Sequence, residues 1–161
     1  LELLAQQGGD VTKIEAVVGP QTGATKLAEL ISEQIVSLTM GSCLSASPAK
    51  SEKGGEKSMI FDDRELPYLF EQLTLLCEDV ITTGGSVDLT ATAVSNAGGI
   101  ILPFILVLVN RSGLTEVSGR KVIALIDRPM PMWTPDECPL CKKGSKAIRP
   151  KDNWTRLNAN Y

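Results

Sequence analysis

The sequence predicts an α/β fold with a mainly parallel central sheet flanked by helices. Two apolar runs, residues 73–77 and 100–109, are nearly continuous rather than alternating, which is typical of strands buried on both faces of a parallel sheet. A shorter β-branched run, residues 14–18, is followed by a helical pattern. Strands that alternate with helices across short connections favour a parallel sheet, whose ligands bind at the carboxyl ends of its strands.

The first elements follow one another as helix, strand and helix. Residues 1–7 form a predicted helix that ends at a Gly-Gly pair, and residues 14–18 form a strand that ends at Gly19-Pro20. Beyond residue 23, apolar side chains recur at helical spacing: Leu27, Leu30, Ile31, Ile35 and Leu38. Because Leu1 lies inside a predicted helix and is not a start methionine, we expect an N-terminal part to precede it.

The segment of residues 45–57 is predicted to form an exposed, mobile loop. It has almost no large apolar residue and contains several residues that interrupt helices and strands. It carries three cations, which are Lys50, Lys53 and Lys57.

The second half of the chain repeats the order of strand, turn and helix. The strand at residues 73–77 leads into a polar segment, and a helix then extends to about residue 97, where two glycines end it. Residues 100–109 form the next buried strand, and residues 122–126 form one more. With 161 residues, of which 43% are hydrophobic, we expect one domain. Residues 1–127 would be its core and residues 128–161 a proline-rich tail or cap.

Charge and composition exclude several classes of function. The formal net charge of −3 does not provide the basic surface that nucleic-acid binding needs. The longest apolar run has about half of the roughly 20 residues of a membrane-spanning helix, so no membrane partner is predicted. The chain has no histidine, which excludes histidine-dependent triads. Its four unevenly spaced cysteines do not form a dense disulfide framework, so the cytoplasm is the expected location.

A polar segment after the strand at residues 73–77 is the strongest functional signal in the sequence. Two carboxylates, Glu78 and Asp79, suit the hydroxyls of a sugar or a magnesium ion. Hydroxyls and backbone amides at a helix N-terminus then form a predicted phosphate cradle of Thr82, Thr83, Gly84, Gly85 and Ser86. A ribose phosphate fits both halves, whereas an ordinary helix cap needs only one Ser or Thr.

This segment, residues 75–86, resembles the phosphoribosyl pyrophosphate signature of type I phosphoribosyltransferases, in which an apolar run and two acids precede Thr-Thr-Gly-Gly-Ser. The resemblance implies the fold of that family. It implies that Glu78 and Asp79 hold the ribose hydroxyls and that residues 82–86 surround the 5′-phosphate. It further implies Mg²⁺, carried by the substrate near the two acids, and a homodimer.

A second segment fits the family order. Residues 17–20, followed by Thr22, Gly23 and Ala24, resemble the pyrophosphate loop that these enzymes place after an earlier strand. The plainer interpretation is a Gly-Pro turn without a ligand. Many family members have a lysine in this loop where the present chain has Gly23.

The lysine-bearing segment falls where the family has a flexible catalytic loop. By resemblance, Lys50, Lys53 and Lys57 would neutralise the departing pyrophosphate, and Asp79 would be the fourth catalytic residue. Each lysine could equally belong to a solvated linker. Orotate enzymes commonly have a histidine in this loop, and this chain has none.

The identity of the base depends on a shorter match. Asn110-Arg111 resembles the Asp-Arg segment of orotate phosphoribosyltransferases, so Arg111 would pair with the orotate carboxylate and Thr82 would contact the base. Arg111 could instead be a surface arginine. The resemblance therefore implies transfer of the phosphoribosyl group from phosphoribosyl pyrophosphate to a nucleobase, with orotate as the favoured base. A noncatalytic sensor of phosphoribosyl pyrophosphate and a purine phosphoribosyltransferase are the alternatives.

The tail carries Cys138 and Cys141 at the spacing of half a zinc site. The spacing leaves open a four-thiolate site shared between two chains, a redox-labile disulfide or a tight turn, with the turn favoured. Trp133 and Trp154 flank the pair and are interpreted as packing anchors. Residues 133–150 also resemble the ending of some orotate-type members of the family.

Overall fold

A computed structural model describes residues 1–146, 148–149 and 151–159. For Lys151 it describes the backbone alone. The remaining residues of the predicted tail, at positions 147, 150, 160 and 161, lie outside the described residues. The chain divides into two compact units, Leu1–Pro129 and Met130–Tyr161. That residues 128–161 share a domain with the core stays a prediction.

The first unit has four helices and eight strands within the described residues. The helices are α1 (Glu2–Gln6), α2 (Thr25–Thr39), α3 (Leu66–Leu69) and α4 (Gly85–Asn96). The strands are β1 (Ala16–Val18), β2 (Leu44–Ala46), β3 (Ala49–Lys53), β4 (Glu56–Ile60), β5 (Leu73–Ile81), β6 (Ile100–Asn110), β7 (Glu116–Val117) and β8 (Arg120–Asp127). The second unit contains α5 (Pro139–Lys142) and α6 (Trp154–Leu157).

Six strands form one sheet in the order β2-β1-β5-β6-β8-β7. All neighbours in this sheet pair in parallel except β7 and β8, which are antiparallel. The predicted mainly parallel sheet is therefore confirmed, with β7 as an antiparallel edge strand that the sequence reading missed. The carboxyl ends of β1, β5 and β6 lie at the same edge of the sheet, as parallel pairing requires.

Helices cover both faces of the sheet and create two cores. Leu75 and Cys77 of β5 belong to a buried cluster that includes Ala28 and Ile35 of α2. Leu76 belongs to a second cluster, on the side of α4. Side chains of successive residues point to opposite faces of a strand, so β5 contributes to both cores.

The prediction of a loop at residues 45–57 is wrong, because most of this segment forms strands. Residues 44–46 are β2, and β3 pairs with β4 in a separate antiparallel hairpin. Gly54 and Gly55 connect the two strands, both at positive φ (+60° and +85°), which is the geometry of a tight two-residue hairpin turn. The hairpin is exposed or half-buried apart from Met59, which is 6% exposed and packs into the α4-side core. We call β3, β4 and their turn the lysine hairpin.

No helix in the described part of the chain is both long enough and apolar enough to cross a membrane.

Candidate active site

The site lies beside β5, where this strand continues past its neighbour. Strand β1 ends at Val18, opposite Leu76, whereas β5 continues to Ile81. The loop that follows β1 occupies the space beside these last residues of β5. A Cβ built on Gly19 would lie 2.8 Å from the Cys77 sulfur, so this glycine allows the loop to approach the strand. The unequal lengths of β1 and β5 therefore place the predicted pyrophosphate loop against the predicted acidic pair.

Asp79 is the acid that faces this loop. A Cβ on Gly23 would lie 2.6 Å from Asp79 Cγ, so the carboxyl group packs directly on the backbone of Gly23. Asp79 is partly exposed, and its Oδ1 accepts a hydrogen bond from the backbone N–H of Val80 at 2.8 Å. Its carboxyl group also lies within hydrogen-bonding reach of the Glu78 carboxyl, a contact that helps to raise the pKa of Glu78. Because Asp79 is partly exposed beside the loop, it can also accept from a ligand there.

Glu78 lies on the opposite face of the strand and is 5% exposed. Its Oε1 accepts a hydrogen bond from the backbone N–H of Asp79 at 3.0 Å. Burial raises the pKa of Glu78 to about 8; neighbouring Asp79 adds to the shift, while Lys50 opposes it. At neutral pH Glu78 therefore retains its proton and can both donate to and accept from a sugar hydroxyl. Although the two side chains leave the strand on opposite faces, their carboxyl groups are close enough to interact.

The turn between β5 and α4 presents backbone amides without protein partners. Gly84 has φ +83°, and a Cβ there would lie 3.0 Å from Val117 Cγ1, so both conformation and space require glycine. Among residues 1–146, 148–149 and 151–159, no oxygen accepts a hydrogen bond from the N–H groups of residues 83–87. These amides lie at the N-terminus of the 12-residue helix α4, where the helix dipole favours an anion.

The hydroxyls of this turn differ in exposure. Thr82 and Ser86 are partly buried, whereas Thr83 is exposed. Sequence reasoning overlooked one further hydroxyl, that of Thr25 at the start of α2. Its Oγ1 is buried and has no hydrogen-bond partner within the part of the chain described here. Its position directly after Thr22, Gly23 and Ala24 was the available signal.

A cavity of about 750 Å³ separates the lysine hairpin from the start of α4. Lys50 and Lys57 line it from the hairpin, and Gly85 and Ser86 line it from the phosphate turn. Glu52 and Asp88 also line the cavity, so two carboxylates accompany the two cations. The structure thus brings two of the predicted lysines to the predicted phosphate cradle.

Lys53 occupies a different face of the hairpin. Lys57 lies opposite Glu52, whereas Lys53 lies opposite Glu56. Cross-strand partners share a face and successive residues alternate, so Lys53 points away from the face of Lys50 and Lys57. It does not line the cavity.

Arg111 lies at the carboxyl end of β6, next to β5. Its backbone N–H donates to Ile81 O at 2.9 Å, which places it beside the residue that precedes Thr82. Its Nε is buried and has no hydrogen-bond partner among the described residues. Asn110 shapes the turn: its Oδ1 accepts from the N–H of Ser112, and its Nδ2 donates to Leu114 O. Arg111 is therefore a positioned arginine with an unused donor.

The residues fit a magnesium ion that arrives with a diphosphate better than a metal held by protein alone. Within the described residues, no three His, Cys, Asp or Glu side chains form a group that could hold a metal. Mg²⁺ usually keeps several waters and binds through one or two carboxylates together with substrate phosphates. Asp79, a partly exposed carboxylate beside the predicted pyrophosphate loop, meets that requirement.

In the second unit, Cys138 begins the short helix α5. Its sulfur accepts a hydrogen bond from the backbone N–H of Cys141 at 3.4 Å, which lowers the pKa of the Cys138 thiol. The structure has no disulfide among its described residues. Trp133 and Trp154 are 50% and 66% exposed, so their predicted role as packing anchors has no support from burial within the described unit.

Comparison with curated proteins identifies orotate phosphoribosyltransferases as relatives of this chain. The orotate phosphoribosyltransferase of Pelotomaculum thermopropionicum is 32% identical over 149 residues, which cover 92% of this chain and 71% of the relative. That of Heliobacterium modesticaldum is 31% identical over 136 residues, which cover 84% of this chain and 65% of the relative. The match to the Campylobacter fetus enzyme covers 44% of its length. The chain thus spans about half to two thirds of most of these relatives. No family model matches the chain.

Solved structures with the same fold include orotate and adenine phosphoribosyltransferases. The orotate phosphoribosyltransferase from Aeropyrum pernix aligns with a TM-score of 0.53 at 21% identity, covering 78% of this chain and 67% of that one. The adenine phosphoribosyltransferase from Rhodothermus marinus aligns with a TM-score of 0.56 at 18% identity, covering 78% and 74%. At these identities the alignments confirm the predicted fold class. The sequence match across 71% of the Pelotomaculum relative goes further, and by it this chain belongs to the orotate phosphoribosyltransferase family.

Proposed function

We propose that the protein transfers the 5-phosphoribosyl group from magnesium-bound phosphoribosyl pyrophosphate to a ring nitrogen of orotate. The products are orotidine monophosphate and pyrophosphate, so the enzyme is a pentosyltransferase of pyrimidine nucleotide biosynthesis. Family membership supports this proposal, although the chain spans 65% of the Heliobacterium relative and 71% of the Pelotomaculum relative.

The observation that carries the proposal is the set of unbonded amides at residues 83–87, next to the acids of β5. Buried or partly buried backbone N–H groups without a protein acceptor require another acceptor. A 5′-phosphate provides several acceptor oxygens at a helix N-terminus. Glu78 and Asp79 precede this turn on the same strand, where they could meet the sugar that carries the phosphate.

In the reaction, the bond between C1′ of the ribose and the pyrophosphate oxygen breaks, and a bond from C1′ to the base nitrogen forms. Positive charge develops on the ribose and negative charge on the leaving group. Thr22, Gly23, Ala24 and the hydroxyl of Thr25 would bind the pyrophosphate. Lys50 and Lys57, which share a cavity with the start of α4, would stabilise its developing charge. Lys53 faces away from the cavity, so any contribution from it would be weaker.

The remaining groups would position the two substrates. Asp79 would accept from a ribose hydroxyl, and protonated Glu78 would bind the sugar from the other face of the strand. Thr82, Thr83, Gly84, Gly85 and Ser86 would surround the 5′-phosphate. Arg111 would pair with the carboxylate of orotate through its planar guanidinium, and Thr82 would contact the ring. Such a reaction depends mainly on positioning and on fixed charges, which suits a chain without histidine.

Mg²⁺ is the proposed cofactor, and it would supply charge neutralisation on the diphosphate. Asp79 is the residue that would contact it or its waters. We further propose a homodimer and a cytoplasmic location. The dimer rests on family resemblance alone, and the location rests on the four unevenly spaced cysteines of the sequence.

Turnover with a panel of bases tests the proposal. The protein would be incubated with phosphoribosyl pyrophosphate and Mg²⁺ together with orotate, uracil, adenine or hypoxanthine, and pyrophosphate release would be measured. We expect release with orotate. Release with a purine but not with orotate contradicts the assigned base, and tight binding of the donor without release for any base indicates a sensor.

A further inference from the structure

The lysine hairpin is attached to the protein through a buried connection. Ala46, Ser47 and Pro48 lead from β2 into β3, and all three are buried, although β3 itself is mainly exposed. The position of this connection therefore determines where the hairpin places Lys50 and Lys57. Two polar side chains, Gln21 and Glu65, hold it.

Gln21 ties the connection to the pyrophosphate loop. Its backbone N–H donates to Pro48 O at 3.0 Å, and its side-chain Nε2 donates to Ser47 O at 2.9 Å. Gln21 is the residue directly before Thr22, at the start of the segment assigned to pyrophosphate. The loop and the start of the hairpin are thus joined by two bonds from one residue.

Glu65 ties the two ends of the hairpin to each other. Its Oε2 accepts from the N–H of Asp62 at 3.1 Å, just after β4, and its Oε1 accepts from the N–H of Ser47 at 3.5 Å, just before β3. The backbone N–H of Glu65 also donates to Asp62 O at 2.9 Å. Both strands of the hairpin therefore leave the protein from one clamped point.

We propose that Gln21 and Glu65 are positioning residues that form a latch, which couples the pyrophosphate loop to the lysine hairpin. Neither side chain lines the cavity that Lys50 and Lys57 line. Their effect passes through Ser47, whose carbonyl is held by Gln21 and whose N–H is held by Glu65. Binding at Thr22–Ala24 then fixes the direction in which Lys50 and Lys57 approach the leaving group. This role for the lysines rests on the function proposed above.

Hydrogen–deuterium exchange of the ligand-free protein tests the latch without reference to activity. Gln21→Met and Glu65→Met keep side-chain length and remove the polar contacts. Losing one such bond should raise amide exchange in β3 and β4 by about five-fold. Glu65→Gln, which keeps one acceptor oxygen, should show a smaller rise.

Gln34→Met is the matched control, because Gln34 is exposed on α2 and makes no side-chain hydrogen bond within the described residues. Hairpin exchange in Gln21→Met and Glu65→Met equal to that of Gln34→Met overturns the latch.

A second exchange experiment adds pyrophosphate with Mg²⁺. It measures whether binding at the pyrophosphate loop also protects the amides of the lysine hairpin. In the wild-type protein we expect protection of residues 22–25 and of the hairpin. In Gln21→Met residues 22–25 should remain protected while the hairpin loses its protection. Equal hairpin protection in both proteins overturns the coupling. If pyrophosphate protects neither segment in the wild type, the proposed pyrophosphate site fails, and the ligand-free arm still decides the latch.

Kinetics separate positioning from general loss of structure. If orotate turnover is present, Gln21→Met should lower kcat by roughly ten-fold and change KM for the donor less than two-fold, because the lysines act mainly on the departing group. A parallel rise of KM with unchanged kcat would contradict a positioning role in the transition state.

Discussion

The carboxyl group of Asp79 packs directly on the backbone of Gly23 and occupies the place where any other residue would have its Cβ. This contact joins the carboxyl end of β5 to the loop after β1, two segments that are far apart in the sequence. It gives the glycine a specific role, since the space it leaves is filled by a carboxylate.

Replacing Gly23 should therefore displace Asp79. In Gly23→Ala the new methyl group would overlap the carboxylate, so we expect the affinity for phosphoribosyl pyrophosphate to fall by roughly ten-fold or more. Isothermal calorimetry with Mg²⁺ present would measure the change. Gly41→Ala is the control, because its nearest neighbour is the hydroxyl of Thr39 at 3.2 Å and it lies outside the site. Equal affinity in the two variants would show that the contact is not needed.

Glu78 should make stability depend on pH. Its folded-state pKa of about 8 exceeds the ordinary value of 4.5, so between these values the folded state binds more protons than the unfolded state. The free energy of unfolding should therefore fall as pH rises from about 4.5 to about 8. Glu78→Gln removes this contribution, and urea titrations of both proteins across that range should give a flatter dependence for the variant. Parallel curves would show that Glu78 ionises freely in the folded protein.

The three lysines of the hairpin should not be equivalent. Lys50→Met and Lys57→Met each remove a cation from the cavity and should lower turnover by about ten-fold or more. Lys53→Met removes a cation from the opposite face and should have a smaller effect. The measurement is pyrophosphate release at saturating donor, with Lys13→Met, in the turn before β1, as a distant control. An equal loss for all three variants contradicts the cross-strand assignment of faces.

Arg111 should determine which base is accepted. Because Arg111→Ala removes a bidentate partner for a carboxylate, we expect kcat/KM for orotate to fall by about a hundred-fold or more, with donor affinity unchanged. Arg128→Ala is a nearby control, since its backbone N–H bonds to Asn110 O while its side chain is exposed. If Arg111→Ala leaves kcat/KM for orotate unchanged, Arg111 does not bind the orotate carboxylate.

The sequence predicted the helices and strands in which burial dictates the pattern of apolar residues. The runs at residues 73–77 and 100–109 became β5 and β6. Residues 74–78 of β5 are buried on both faces, as a central parallel strand requires, whereas β6 is only partly buried, so the prediction of a fully buried strand there was wrong. The glycines at positions 98 and 99 end α4 as expected. Here the local pattern and the tertiary environment demand the same residues.

The features that were missed depend on pairing rather than on local pattern. The lysine hairpin has a single buried side chain, Met59, so its strands have no apolar alternation to read, and the Gly54-Gly55 turn was the only available signal. The separation of Lys53 from Lys50 and Lys57 requires the register of β3 and β4. The space beside β5 exists because β1 is short, which depends on how the strands align.

The limited burial of the hairpin has an energetic consequence. An isolated two-stranded ribbon is at best marginally stable in water, and this one is held to the α4-side core mainly by Met59. Re-solvating one methionine costs about 2–3 kcal/mol, and the bonds of Gln21 and Glu65 oppose undocking further, so an undocked ribbon would be a minor population. That population would let a bulky, charged donor enter and its products escape without unfolding the sheet that recognises them.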